Sequence, residues 1–293
     1  MVELVRTLRA LVMIIRPANV VLTALSVAVG ASCSSAPAGI TLAAACACAA
    51  LIAAGGYVVN DCFDVETDRI NRPYRPIPSG ALSHRTAVSW AVILFAAGVS
   101  LSWLLPIRFA LMATVIALAL VWYAGKLKRT ILWGHVLVAI ISGSAFVFGG
   151  MLGTRLAPAF APAFLAAAFH LGREMLKAAA DYPGDMEQGY DTLAVRRGVE
   201  RTCRLASIPL AGVIALSPIP FVIGWFGFFY LISVIILIDG LLAYVIARIW
   251  QSPSSETAAR MATLLKWGMV AGIATVWGDV WTRSLTGVML TLR

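Results

Sequence analysis

Apolar residues in this chain fall into long unbroken runs separated by short polar segments, rather than into short alternating stretches. Nine runs stand out, roughly 17–35, 39–59, 86–105, 107–124, 134–153, 158–178, 203–225, 226–249 and 267–289. A helix needs about 20 mainly apolar residues to cross the hydrocarbon core of a bilayer. Lipid offers no partners to backbone N–H and C=O groups, so only helices and closed barrels cross it, and barrel strands would show ten-residue alternation. The pattern therefore predicts an all-α, polytopic membrane protein. Two breaks are slight, one at Pro106 and Arg108 and one at 223–227. A count of eight spans is the alternative on pattern alone.

Charge favours nine. With the N-terminus on the cytoplasmic side, alternation puts the segments near 60–85, 125–133, 179–202 and 250–266 on that side too. Every Lys and Arg then lies inside or at the inner border except Arg108, Arg155, Arg283 and Arg293. That is the positive-inside bias, and dropping any one helix degrades it. The chain is 60% hydrophobic and 13% charged over 293 residues, with a net charge of +9. The excess positive charge reads as topology and contact with anionic membrane lipids, not as nucleic-acid binding, because the cations sit in short loops between spans. The same alternation places both acidic loops described below on the cytoplasmic face of the cell membrane.

The chain carries no linker or separate polar domain, so 1–293 reads as one intramembrane domain. It does repeat. Two runs lead to an acidic loop at Asn60, and two runs after the KLKR segment lead to a second acidic loop, DYPGDMEQGYD, at Asp181. Four runs make one period, giving a bundle of two four-helix repeats plus one helix. An even number of spans returns the chain to the same face, so the two loops can meet, and duplicated membrane folds commonly hold ligands between their repeats.

Most of the 14 acidic residues sit in these loops: Asp61, Asp64, Glu66, Asp68, Asp181, Asp185, Glu187 and Asp191. At about 100° per residue, Asn60, Asp64, Asp68 and Asp61 share one face of a helix, whereas Glu66 points to the opposite side. Carboxylates this close repel one another and require cations. Arg69, Arg72 and Arg75 supply one solution, as salt bridges. A divalent metal supplies the other, since an all-oxygen set of Asp and Asn suits a hard cation such as Mg²⁺. Mg²⁺ prefers one or two carboxylates plus phosphate oxygens, so two facing acidic clusters suggest a pyrophosphate held between metals.

In the second cluster Arg173, Lys177, Asp181 and Asp185 recur every four residues, and Pro183 with Gly184 predicts that the helix stops near Asp181. Arg173 and Lys177 lie within the span, where an unmatched charge is costly. They pair either with Glu174 and the local aspartates or with a phosphate. Tyr123, Lys126 and Lys128 in YAGKLKR, and Asn19 after Arg16 and Pro17, are polar positions at the membrane edge that serve equally a topological role or a binding one. Asp239 and Asp279 are lone acids inside apolar runs, either functional or paired internally.

His84, His135 and His170 have no ligand spacing and read as packing residues. The five cysteines form neither a disulfide frame nor a zinc pattern. A signal peptide ending near Gly30–Cys33 fits poorly with a retained first span. Aromatic residues are mostly lipid-facing or core, with a few available to line a cavity for an allylic cation.

NDxxDxxxD at Asn60–Asp68, NRPxRPIPSG at Asn71–Gly80, DxxxD at Asp181–Asp185 and a TLxxxxG end at Thr192, Leu193 and Gly198 together resemble the UbiA-type intramembrane prenyltransferases. The Arg16–Asn19 start and the Tyr123–Lys128 segment match as well, so the resemblance spans essentially the whole chain. It implies a nine-helix bundle around a membrane-embedded cavity, a Mg²⁺-bound prenyl diphosphate and transfer of the prenyl group to an acceptor. By position, Asn60, Asp61, Asp64, Asp68, Asp181 and Asp185 would bind metal and diphosphate, with Arg72, Lys126, Lys128 and Lys177 as anion partners.

GREMLKAAADYPGD at Gly172–Asp185 is most similar to the archaeal digeranylgeranylglyceryl phosphate synthases. These usually carry further acids where this chain has Ala178 and Ala180, a departure that bears on the acceptor rather than on the reaction class. The favoured acceptor is the hydroxyl of geranylgeranylglyceryl phosphate; an aromatic acceptor such as 4-hydroxybenzoate is second. A cation transporter is the rival from another class, and it is disfavoured because no ionisable stripe continues across the bilayer. The pattern identifies no residue that takes the acceptor proton, and no obligate protein partner is expected.

Overall fold

The structure, a computed structural model, describes residues 2–285, which are helices and short turns with no strand among them. In chain order the helices are α1 Val2–Ile14, α2 Pro17–Cys33, α3 Ile40–Phe63, α4 Val65–Asn71, α5 His84–Ser102, α6 Ile107–Gly125 and α7 Trp133–Gly150. They continue as α8 Phe160–Glu187, α9 Leu193–Arg197, α10 Val199–Leu216, α11 Ile219–Val222, α12 Phe228–Ser233, α13 Gly240–Gln251 and α14 Ser255–Leu285. A 3₁₀ turn, Leu127–Arg129, precedes α7, and a π-helical stretch, Val234–Asp239, joins α12 to α13.

Each apolar run is occupied by helix within the described residues; the end of the last run and Arg293 lie outside them. Six helical segments are long and apolar enough to cross a membrane unaided: α3, α5, α6, α7, α10 with α11, and α12 through α13. A seventh forms if α1 and α2, bent by 45°, are taken as one broken span. Two long helices fall outside this group and carry interior charge. α8 holds Arg173, Glu174 and Lys177, and α14 holds Lys266, Asp279 and Arg283.

The bend between α1 and α2 is made at Arg16, whose backbone is left-handed with φ 54°, followed by Pro17 in the first turn of α2. Proline suits that position because its missing N–H would have no intrahelical partner there. α2 then packs on α7, α3 on α5, and α8 on α7, α10 and α14. The α2–α7 crossing is fixed by two glycines facing opposite ways. A Cβ at Gly30 would strike the Phe146 carbonyl, and one at Gly149 the Val27 carbonyl. Small residues at such a crossing let backbones touch, which substitutes for the hydrophobic driving force that lipid removes.

The expected stop at Asp181 does not occur, because α8 runs through Pro183 to Glu187. Proline removes one backbone bond and its ring crowds the preceding turn. Here α4 and α9 pack against the end of α8, and Gln188 N–H still closes on the Gly184 carbonyl at 3.1 Å. Tertiary contact outweighs the local break, and Asp181 and Asp185 therefore stand on one helical face.

Candidate functional site

α2, α3, α6, α7, α8 and α14 enclose a cavity of about 350 Å³ whose two ends differ in chemistry. One end is lined by Asn60, Asp64, Asp68, Arg72, Arg75, Lys128, Asp181 and Asp185. Further in lies a mixed belt including Arg16, Asn19, Tyr57, Tyr123, Arg173, Glu174 and Lys177, and beyond it an apolar wall that includes Phe146, Phe148, Val213 and Ile238. An amphiphile with a charged head and a hydrocarbon tail matches that gradient.

The acidic stripe of the first motif keeps its helical phase across the junction between α3 and α4. Asp64 N–H reaches the Asn60 carbonyl at 3.1 Å, Asp68 N–H the Asp64 carbonyl at 2.8 Å, and Arg72 N–H the Asp68 carbonyl at 2.8 Å. Residues four apart therefore share a face. Asn60 Nδ2 donates to Asp64 Oδ2 at 2.6 Å, and Lys128 pairs with the same oxygen. Asp68 takes Arg75 at 2.5 Å. Burial pushes the Asp68 carboxyl up, and the adjoining Arg75 guanidinium opposes that rise.

The two motifs meet at Arg72. Its guanidinium lies 2.6 Å from Asp181 Oδ1 and 3.7 Å from Asp68 Oδ1, and Asn71 Nδ2 donates to the Asp181 carbonyl at 3.3 Å. Asp185, next on the α8 face, is buried and makes no ion pair among the described residues. Burial, with Asp181 and then Asp64 as like charges, lifts its carboxyl to about 6 against the pull of Lys128. This end of the cavity thus holds more crowded carboxylate than its own cations neutralise at Asp185.

Oxygen donors of this kind suit Mg²⁺. No three acidic, histidine or cysteine side chains converge on one point among the described residues. That fits an ion that takes one or two carboxylates and completes its shell with phosphate oxygens and water.

Two expected site residues, Asp61 and Lys126, stand differently from the sequence reading, and Arg173 and Lys177 take the Glu174 pairing it offered. Asp61 does not line the cavity; it lies behind Arg16 and Arg75, pairing with the first and accepting from the second at 3.1 Å. Its position orients two arginines toward the cavity. Lys126 is exposed and also lies outside the lining, because the turn after α6 directs Lys128 inward instead. Lys177 reaches both oxygens of Glu174 at 2.8 Å, and Arg173 reaches one at 3.4 Å while its Nε donates to the Ala262 carbonyl at 3.1 Å. Both cations line the cavity, but each is already matched by Glu174.

Asn19 and Tyr123 line the belt, and Arg16 lies 5.2 Å over the ring of Tyr57. Glu66 pairs with Arg69 on the exposed side, as its helical angle required.

Both lone acids find partners inside the bundle. Asp279 accepts from the Gly227 and Tyr230 backbone N–H groups at 2.9 and 3.1 Å, and Asp239 accepts from the Ser217 hydroxyl at 2.8 Å. Sequence reasoning passed over Glu174, Tyr57 and His135 as site residues, although all three line the cavity. Glu174, spaced by three and by one from two cations inside an apolar run, carried a usable signal; the other two carried none.

Comparison with known proteins follows the same lines. The sequence matches the UbiA prenyltransferase family over residues 20–270. It is 40% identical over 226 residues to a digeranylgeranylglyceryl phosphate synthase of Saccharolobus solfataricus, covering 76% of this chain and 79% of that protein. A solved structure of digeranylgeranylglyceryl phosphate synthase superposes with a TM-score of 0.76 at 29% identity, covering 94% of this chain and 99% of the other. A UbiA homologue from Archaeoglobus fulgidus bound to GPP and Mg²⁺ superposes with a TM-score of 0.67 at 18% identity, covering 92% and 99%.

Proposed function

The chain belongs to the UbiA prenyltransferase family, and on that premise we propose that it joins a geranylgeranyl group to the hydroxyl of geranylgeranylglyceryl phosphate in archaeal-type ether-lipid synthesis. It is a Mg²⁺-dependent prenyltransferase. The observation that carries the site assignment is Arg72, which spans Asp68 of one acidic motif and Asp181 of the other at the polar end of an apolar cavity. A diphosphate head fits there, with its hydrocarbon chain running inward.

Asn60, Asp64, Asp68, Asp181 and Asp185 would hold Mg²⁺, which when bound neutralises the leaving diphosphate. Arg72, Arg75 and Lys128 exchange their carboxylate partners for phosphate oxygens as the donor enters, so their charge is kept in place without being left bare beforehand. Arg173 and Lys177, matched by Glu174, are suited to the acceptor head. Its phosphate adds the anion that two cations and one carboxylate still accommodate. The apolar inner wall excludes water from the reacting carbon, and its aromatic faces stabilise positive charge there. The polar belt does not continue through the apolar end, which argues against an ion pathway.

We further assign one domain over the chain, nine spans and two four-helix repeats. Helix in each apolar run supports the count. The contacts α2–α3, α3–α5 and α5–α6, matched by α7–α8, α8–α10 and α10–α13, support the repeat. The N-terminus and both acidic loops are assigned to the cytoplasmic face on the charge bias. The deciding experiment supplies purified protein with labelled geranylgeranyl diphosphate, Mg²⁺ and either geranylgeranylglyceryl phosphate or 4-hydroxybenzoate. Ether product from the lipid alone is expected; product from the aromatic acid alone overturns the acceptor assignment.

A further inference from the structure

His135 is used by neither the metal nor the diphosphate set, yet it stands between them and the apolar wall. It is 7% exposed, lines the cavity, and neither Nδ1 nor Nε2 finds a partner in the protein. Buried polar side chains ordinarily keep a hydrogen bond, so an imidazole unpartnered on both nitrogens in the lining of a cavity lacks one that a bound molecule could supply.

Its placement follows from the residue before it. A Cβ at Gly134 would meet the Leu127 carbonyl at 2.5 Å and Lys128 Cα at 3.0 Å, so the start of α7 is pressed against the turn that carries Lys128. Lys128 in turn pairs with Asp64. His135 is thereby anchored one step inward of the expected diphosphate. The charged groups that face it are Glu174 and Lys177 from α8 and Lys128 from the turn.

The reacting carbon of a prenyl donor adjoins its diphosphate, so the acceptor hydroxyl must also arrive one step inward of the acidic end. The carboxylates there are engaged, both oxygens of Glu174 binding Lys177 and Asp64 and Asp185 belonging to the proposed metal set, which leaves His170 as the other imidazole in the lining and the one the test separates from His135. We propose that His135 accepts the proton of the acceptor hydroxyl, an assignment that rests on the prenyltransferase reading above. In the step, the acceptor oxygen bonds to C1 of the donor and the C1–O bond to diphosphate breaks, its electron pair leaving with the diphosphate. The hydroxyl proton passes to the free ring nitrogen, since a neutral imidazole has one nitrogen that accepts. Glu174 offsets the imidazolium charge until the proton is released to solvent through the acidic end.

The test compares wild type with His135→Gln and His135→Ala under saturating Mg²⁺ and geranylgeranyl diphosphate, varying geranylgeranylglyceryl phosphate and pH. General-base removal typically costs about 10²–10⁴-fold. We expect kcat to fall at least about 100-fold on that scale. KM for the acceptor should stay within about threefold, and the rise of kcat with pH that a titrating base imposes should be lost. Binding of a non-hydrolysable thio-analogue of the donor, measured calorimetrically, should match wild type and shows that each variant is folded. Should His135→Ala fail that control, the isosteric Gln variant decides.

A kcat within twofold of wild type in His135→Gln overturns the proposal, as does a raised KM with unchanged kcat, which would make His135 a head-group contact. Loss of the pH-dependent rise in His170→Gln but not in His135→Gln also overturns it. A wild type that binds the analogue but forms no ether overturns the underlying reading instead.

Discussion

Arg72 holds two acidic motifs together with one guanidinium, so the aspartates around it are best tested by what their loss does to turnover rather than to folding. Removing Asp64 or Asp185 relieves carboxylate crowding while deleting an oxygen donor proposed for the metal. Asp64→Ala and Asp185→Ala should each lower prenyl transfer by more than about 100-fold, the scale of a disrupted metal site, with an unchanged melting temperature in detergent; retention of activity in both would remove the site. Lys126→Ala should stay within about twofold of wild type, as an exposed residue off the cavity, whereas Lys128→Ala should not, because it strips Asp64 of its cation and the diphosphate of a partner. The spacing of Asn60, Asp64 and Asp68 was legible because backbone geometry converts intervals of four into a shared face. The orientation of Asp61 was not, since it depends on the left-handed turn at Arg16 and on Arg75 in a distant loop. His135 was also out of reach: a lone histidine opening an apolar run looks the same whether it packs or reacts.

Among the helices, Asp279 shows how a charge inside an apolar element can be wholly structural. From α14 it accepts the N–H groups of Gly227 and Tyr230 at the start of α12, the task an N-cap side chain performs from within its own helix. α12 begins at a sharp turn with no side-chain cap of its own. Loss of a cap costs about 0.5–2 kcal/mol, so Asp279→Ala should lower unfolding stability by about that amount and Asp279→Asn should restore part of it. Calorimetric affinity for a diphosphate analogue should be unaffected in both, and a selective loss of that affinity would return Asp279 to the site. The α2–α7 crossing gives a second expectation: Gly149→Leu forces a side chain into the Val27 carbonyl and should destabilise by about 1–3 kcal/mol, as overpacking does. Helix existence was readable from apolar runs because each run is as long as a bilayer is thick. The helix end at Pro183 was misjudged because local chemistry spoke for a stop, whereas α4 and α9, distant in sequence, hold the turn in place.

For the molecule as a whole, the cavity's polarity and the distribution of lysine and arginine point to the same face. The acidic end of the cavity lies beside Lys128, Arg72 and Arg75, members of the same cationic loops that the positive-inside bias assigns to the cytoplasm. A water-soluble prenyl donor head and Mg²⁺ would then enter from the compartment that makes them, and the hydrocarbon chains would remain at membrane depth. This orientation is open to a direct measurement, because Cys33, Cys48, Cys62 and Cys203 are buried and the half-buried Cys46 can be replaced by Ala to keep the background for thiol labelling low. Single cysteines placed at exposed positions should divide cleanly in oriented membranes. Ser79→Cys, Glu187→Cys and Ser254→Cys should react with a membrane-impermeant maleimide only from the cytoplasmic side, and Ser35→Cys and Arg155→Cys only from the other. Reaction of Glu187→Cys and Arg155→Cys from the same side would break the span count between them, because α8 would no longer cross. Reaction of every site from the side opposite to that expected would keep the fold and reverse the charge argument, placing the diphosphate site where the donor is not made.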